Sequence, residues 1–169
     1  ASENYFTSFN TSGLHRNKSE LEDRKKVTQW SYGGNLAYKT PNFKVGVNAV
    51  QHFFSKPLYK RQALYNLYAI GGKSWANASI DYAYTYKNMY LFGEAATDQK
   101  GAKAFIQGLL ASVDPKVDLA LLYRNISPAY QALYGNAFTE NALPANEKGL
   151  YAGIAIRPHP VWRLQAYAD

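Results

Sequence analysis

The sequence predicts an all-β chain, folded as an antiparallel up-and-down sheet of about eight strands. Three observations carry that prediction. Apolar residues recur with period two rather than 3.6 over most of the 169 residues. The alternating stretches come in pairs separated by three or four turn-forming residues, as hairpins do. Short turns then alternate with longer, polar connections along the chain.

Residues 1–26 read as an irregular polar loop, and residues 27–169 as strands in hairpins, together one domain. Within the opening stretch Ser19, Glu20, Leu21 and Glu22 have the spacing of a helix capping box, so a short helix is expected there. From Trp30 the run WSYGGNLAYK sets Trp30, Tyr32, Gly34, Leu36 and Tyr38 on one face, with Ser31, Gly33, Asn35, Ala37 and Lys39 opposite. Thr40-Pro41-Asn42 is a turn by composition. After it Phe43, Val45, Val47, Ala49 and Phe53 alternate with Lys44, Gly46, Asn48, Val50 and His52.

The second hairpin sets Ala76, Ala78, Ile80, Tyr82 and Tyr84 against Asn77, Ser79, Asp81 and Ala83, turns near Lys87-Asn88, and returns from Met89 to about Thr97. The third joins residues 102–113 through Asp114-Pro115-Lys116 to Val117, Leu119, Leu121 and Tyr123. Its first half, KAFIQGLLASV, also suits a helix; it is read as a strand because the turn ties it closely to an alternating partner. In the fourth hairpin Leu150, Ala152, Ile154 and Ile156 alternate with Tyr151, Gly153, Ala155 and Arg157. Beyond Pro158-His159-Pro160, Trp162, Leu164, Ala166 and Ala168 alternate with Arg163, Gln165, Tyr167 and Asp169.

Within hairpins the connections are Thr40 to Asn42, Tyr86 to Asn88, Asp114 to Lys116 and Arg157 to Pro160. Between hairpins they are Ser55 to Lys73, Asp98 to Gly101 and Ile126 to Lys148. An up-and-down barrel in an outer membrane has this pattern, with tight periplasmic turns and longer outer loops. The chain has no run of about 18 apolar residues, which excludes helical spans; a membrane strand needs only about 9 to 11 residues with alternate ones apolar. With the short turns periplasmic, the first strand starts outside and the eighth ends outside, whereas single-chain bacterial barrels begin and end in the periplasm. The expectation is therefore a transmembrane β-barrel segment, part of a larger barrel that has at least one further strand on each side.

The faces suit that reading. Tyr outnumbers Phe by 15 to 8, and rings with a polar edge collect where one end is apolar and the other wet. Tyr38, Phe43, Tyr84 and Trp162 stand beside the short turns, and Trp30, Tyr32, Phe53 and Tyr123 toward the long loops, as two aromatic girdles would. The opposite faces carry Lys44, Asp81, Glu94, Asp118, Arg124, Arg157 and Arg163, with Asn48, His52 and Gln165, as a polar lumen of both signs would.

Catalytic signals are thin. There is no Cys, hence no disulfide and no cysteine zinc site. His15, His52 and His159 each lack a second His or carboxylate at ligand spacing. No phosphate loop, nucleophile elbow or paired-carboxylate motif is present, and Ser112 near Asp114 and Ser127 beside Pro128 read as strand or turn residues. No catalytic residue, cofactor or metal is expected, and the chain is not read as an enzyme. The net charge of +7 is spread out, densest at Arg24, Lys25, Lys26 and at Lys56, Lys60, Arg61. Without a basic run or an RNA-recognition signature, no nucleic-acid partner is expected.

The stretch Met89-Tyr90-Leu91-Phe92-Gly93-Glu94-Ala95-Ala96, then residues 108–115 (GLLASVDP), Leu122-Tyr123-Arg124-Asn125, residues 128–138 (PAYQALYGNAF), 146–151 (NEKGLY) and Ile156-Arg157-Pro158 together resemble a family of large Bacteroidetes outer-membrane β-barrel proteins. Some members of that family carry a helix-hairpin-helix segment before the barrel. The likeness covers the C-terminal half and the rest in pattern only, and the helix-hairpin-helix segment has no counterpart here. It implies a barrel in the bacterial outer membrane and no particular activity.

The function expected from residues and resemblance is a channel or transport protein, or a non-catalytic structural partner in an envelope complex. Its partners would be the lipid bilayer and other outer-membrane proteins or lipoproteins, with Ser55 to Lys73 and Ile126 to Lys148 plugging the lumen or meeting a partner. The alternative is a soluble β-barrel or β-sandwich that binds a small apolar ligand or glycan. In that case the apolar faces point inward and Trp30, Trp75 and Trp162 are all shielded from water.

Overall fold

The computed structural model describes residues 4–9, 18–23, 26–61, 63–140 and 144–169. His15, Arg24 and Lys25 lie outside the described residues. A six-residue helix α1, Lys18–Asp23, precedes eight strands: β1 Gln29–Lys39, β2 Phe43–Leu58, β3 Gly72–Tyr86, β4 Met89–Asp98, β5 Lys103–Asp114, β6 Val117–Ile126, β7 Glu147–His159 and β8 Trp162–Ala168. They form one antiparallel sheet in the order β1 to β8, each strand beside its sequence neighbours. The stretch that also suited a helix is strand β5.

The turns follow their residues. Lys87 takes a positive φ of 51° in the two-residue turn between β3 and β4. The carboxylate of Asp114 accepts the Lys116 N–H at 2.9 Å, closing the turn between β5 and β6. At the other end of the sheet Asp98 accepts the N–H groups of Lys100 and Ala102 at 2.9 and 3.0 Å, while Gly101, with φ of 82°, turns the chain into β5. In that left-handed region glycine avoids the clash of a Cβ.

One expectation is corrected. The connection after β2 is shorter than Ser55 to Lys73, because β2 runs on through Leu58 and β3 begins at Gly72. Ser55–Leu58 stays extended although Pro57 lacks an N–H, because Phe6 pairs alongside: its N–H reaches the Pro57 carbonyl at 3.0 Å and its carbonyl accepts from Tyr59 at 2.8 Å. The opening polar loop thus contributes a pairing segment as well as α1. The eight strands do not close on themselves. Among the described residues β1 pairs only with β2, and β8 only with β7.

The register separates two faces. Trp30 stands across from Phe53, Leu36 across from Val47, Val47 from Ile80, Ile80 from Ala95, Leu109 from Leu121, and Leu121 from Ala152, so one face is apolar from edge to edge. That face is bare: Leu36 is 79%, Ile80 55% and Leu121 44% exposed. The core lies on the other face, at the long-loop end. There Trp75, 1% exposed, packs with Leu58 and Ile70, and Phe6, Phe9 and Leu133 close over them. A soluble sheet buries its apolar face; this one builds its core on the polar face.

Candidate functional site

The polar face is tied together by hydrogen bonds and ion pairs between strands. On β1 to β3 the Asn35 amide donates to Asn48 Oδ1 at 2.5 Å, and Asn48 donates to Asp81 Oδ2 at 2.9 Å. Lys44 Nζ meets the other Asp81 oxygen at 2.9 Å. Gly46, directly across from Asp81, leaves room for that carboxylate, since a Cβ there would collide with Asp81 Oδ2. At the short-turn end Asp118 accepts from Ser112 Oγ at 2.7 Å and pairs with Arg157.

Arg124, buried at the long-loop end of β6, gathers three carboxylates. It pairs with Glu147 on β7, sits 3.9 Å from Glu140, and holds Nη1 2.8 Å from Asp169, out of hydrogen-bonding line. Its guanidinium lies across Gly149, its register partner. Three acidic groups balance the desolvation of one buried cation.

The connection between β6 and β7 folds back across this face, and residues 127–140 act as a strap. The Gln131 carbonyl accepts from Trp75 Nε1 at 3.1 Å and from Asn77 at 2.9 Å, while its N–H donates to Asp98 Oδ2 at 3.1 Å. Tyr134 donates to Gln29 on β1 at 2.9 Å and meets the His52 ring edge-on at 5.4 Å. Phe138 packs edge-on against Tyr151 of β7 at 5.4 Å. Ser127 to Tyr134 would span at most about 24 Å if fully extended, and it contains a turn in which the Tyr130 N–H bonds to the Ser127 carbonyl at 3.0 Å. On a flat sheet β1 and β6 would stand about 24 Å apart. The sheet curls toward its polar face, since Thr85 of β3 and Arg163 and Tyr167 of β8, five strands apart, line one cleft.

Clefts open on this face among the described residues. One of about 310 Å³ lies under the strap between Tyr130, Leu133 and Tyr134 on one side and Asn48, His52, Asn77, Ser79 and Glu94 on the other. A larger one of about 670 Å³ opens at the short-turn end beside Tyr90, Asp118, Tyr151, Arg163 and Tyr167. Burial raises the pKa of the Tyr130 phenol above its ordinary value, and the negative charges of Glu94 and Asp98 push the same way.

Of the seven charged residues expected on the polar side, Lys44, Asp81, Glu94, Asp118 and Arg124 share that face by register. Arg157 joins them through Asp118, and Arg163 lines the larger cleft. They do not converge on one point: Lys44 with Asp81, Asp118 with Arg157, and Arg124 with its carboxylates are separate groups. The rings Trp30, Tyr32, Tyr38, Phe43, Tyr84, Tyr123 and Trp162 belong to the opposite, exposed face. Tyr32 meets Phe53 at 5.9 Å and Tyr123 meets Phe105 at 6.3 Å toward the long loops, while Phe43 meets Tyr84 at 6.4 Å at the short-turn end.

Sequence reasoning missed the residues that hold the strap. Trp75 could have been found, because it shares parity with Asn77 and so puts a ring on the polar face. Gln131 could not, because its backbone makes the contacts. Trp30 and Trp162 are 50% and 66% exposed, so the three tryptophans are not shielded together. Among the described residues no group of three or more His, Asp or Glu could hold a metal ion, and no helix is long and apolar enough to cross a membrane. No protein-family model matches the chain, and no curated protein matches it either.

Proposed function

We propose that the chain is a wall segment of an outer-membrane β-barrel, of the large Bacteroidetes kind its C-terminal half resembles. It serves a channel or transport protein, or a non-catalytic structural partner in an envelope complex. The observation that carries this reading is the inversion of the sheet: its apolar face is bare across all eight strands, while packing, ion pairs and the strap lie on the polar face.

Magnitudes favour lipid over water for the bare face. Phe43 and Phe53, both on that face, are ten residues apart, about 34 Å along a strand. At the roughly 40° tilt of barrel strands this gives a band about 26 Å tall, against about 25 Å for the apolar belt of outer-membrane barrels. Eight strands across, the face covers roughly 1,000 Å², well above the few hundred Å² that a soluble monomer leaves exposed. The Tyr82 hydroxyl on this face is satisfied: the ring lies across Gly93 and the hydroxyl donates to Gln107 on β5.

The curl toward the polar side supports a lumen there, with the strap narrowing its long-loop end. The open edges of β1 and β8 cannot face lipid, because each unpaired backbone group would cost several kcal/mol. On this reading further strands pair with both, from a longer polypeptide or from another chain.

The test is assembly of the intact protein in the outer membrane, read as heat-modifiable mobility in unboiled gels. Arg in place of Ile80 or Leu121 costs about 2 to 4 kcal/mol at mid-bilayer and abolishes the folded band. Normal assembly of both variants, or recovery of the wild type in a detergent-free soluble fraction, contradicts the proposal.

A further inference from the structure

Among the register-paired residues of the apolar face only two carry a positive charge, Lys103 on β5 and Lys148 on β7. Both stand at the long-loop end, Lys103 just beyond Phe105 on β5 and Lys148 just beyond Leu150 on β7, and both are exposed. Asn125, also exposed, lies between them on β6, directly across from Lys148 on one side and from Phe105 on the other. The acidic residue that register places on this face, Asp114 across from Val117, stands at the opposite, short-turn end, and neither ammonium has an ion-pair partner among the described residues. The polar face differs, since Lys44, Arg124 and Arg157 each pair with a carboxylate there.

We propose that Lys103, Asn125 and Lys148 form a binding site for the phosphate of an anionic lipid headgroup in the outer leaflet. The proposal rests on the membrane reading above and adds a ligand to the outer surface of the wall. From strand spacing and rise, the Cα atoms of the two lysines are about 12 Å apart, close enough for two extended side chains to converge on one group above the Asn125 amide. A lysine beside the aromatic row keeps its stem along the apolar surface and its ammonium at headgroup level. With no carboxylate at this end of the face to neutralise it, the pair draws its counter-charge from the lipid. Phosphate fits better than a lone carboxylate, because its several oxygens can accept from both ammoniums and from the amide together.

The experiment reconstitutes the intact protein in nanodiscs of equimolar phosphatidylglycerol and phosphatidylcholine, then measures the lipids retained on gentle delipidation by native mass spectrometry. The wild type is expected to retain phosphatidylglycerol preferentially, with each of Lys103→Gln and Lys148→Gln lowering the preference about fivefold and the double variant returning it to the bulk ratio. Lys116→Gln, in a short turn at the opposite end, leaves it unchanged. Inorganic phosphate added in excess does not displace the lipid. As a check independent of the variants, phosphatidylglycerol should protect Lys103 and Lys148 from amine acylation relative to phosphatidylcholine alone. Equal retention by wild type and double variant, or protection that does not depend on lipid charge, overturns the headgroup site. Failure of the wild type to enter nanodiscs overturns the membrane reading itself, which is a separate result.

Discussion

The guanidinium of Arg124 lies over the backbone of Gly149, the residue directly across from it on the next strand. A Cβ at position 149 would stand 2.8 Å from Arg124 Cζ and 2.9 Å from Nη2. The glycine lets one cation reach carboxylates on β7, on the strap and beyond β8. Gly149→Ala is therefore expected to destabilise the folded protein by about 1 to 3 kcal/mol, the usual cost of overpacking. In an Arg124→Met background, where the crowding group is gone, most of that cost disappears. A double-mutant cycle by chemical denaturation reads the difference; equal costs in both backgrounds would contradict the packing described.

Trp75 fixes the strap through its indole N–H and fills the core with its ring. Trp75→Phe keeps most of the bulk and removes the bond to Gln131, a loss of about 1 kcal/mol. Hydrogen exchange of residues 128–135 should speed up, with the amides at the centres of β5 and β6 unchanged. Trp75→Ala also opens a cavity and should cost about 3 to 5 kcal/mol. If Trp75→Phe leaves exchange in the strap unaltered, the indole does not anchor it.

Tyr130 gives the strap an alkaline limit. Its phenol is held above the ordinary value, first by burial and then by the charges of Glu94 and Asp98. The folded protein thus keeps a proton that the unfolded chain releases near pH 10. The contribution is complete below that pH and is lost as pH rises through the folded-state value. Comparing denaturation midpoints of wild type and Tyr130→Phe from pH 9 upward, the wild type should lose more stability. Parallel curves would show that Tyr130 is not buried as described.

Much of this sheet was legible in the sequence because period-two alternation fixes both strand and face. Trp30 to Tyr38 and Ala76 to Tyr84 alternate cleanly, and their turns carry the usual residues. Strand β5 was ambiguous for a physical reason: Gln107 breaks the apolar face in order to accept the Tyr82 hydroxyl across Gly93. The extension of β2 through Pro57 was hidden, because its partner, Phe6, lies some fifty residues earlier. The β6–β7 connection was expected over the lumen or against a partner, but its anchor was hidden, since it is the backbone of Gln131. The counter-ions of Arg124 were equally obscure, coming from segments far apart in sequence.

The central claim is that the bare face meets lipid and the strapped face meets water. The chain has no cysteine, so single cysteines at positions 78, 79, 80 and 81 of β3 can be spin-labelled without background. In the intact protein reconstituted in bilayers, labels at Ala78 and Ile80 should collide preferentially with oxygen, and labels at Ser79 and Asp81 with a water-soluble nickel chelate. That alternation, in step with the register, is the predicted result. Water-reagent accessibility at Ile80 equal to that at Asp81, or the opposite alternation, would contradict the account.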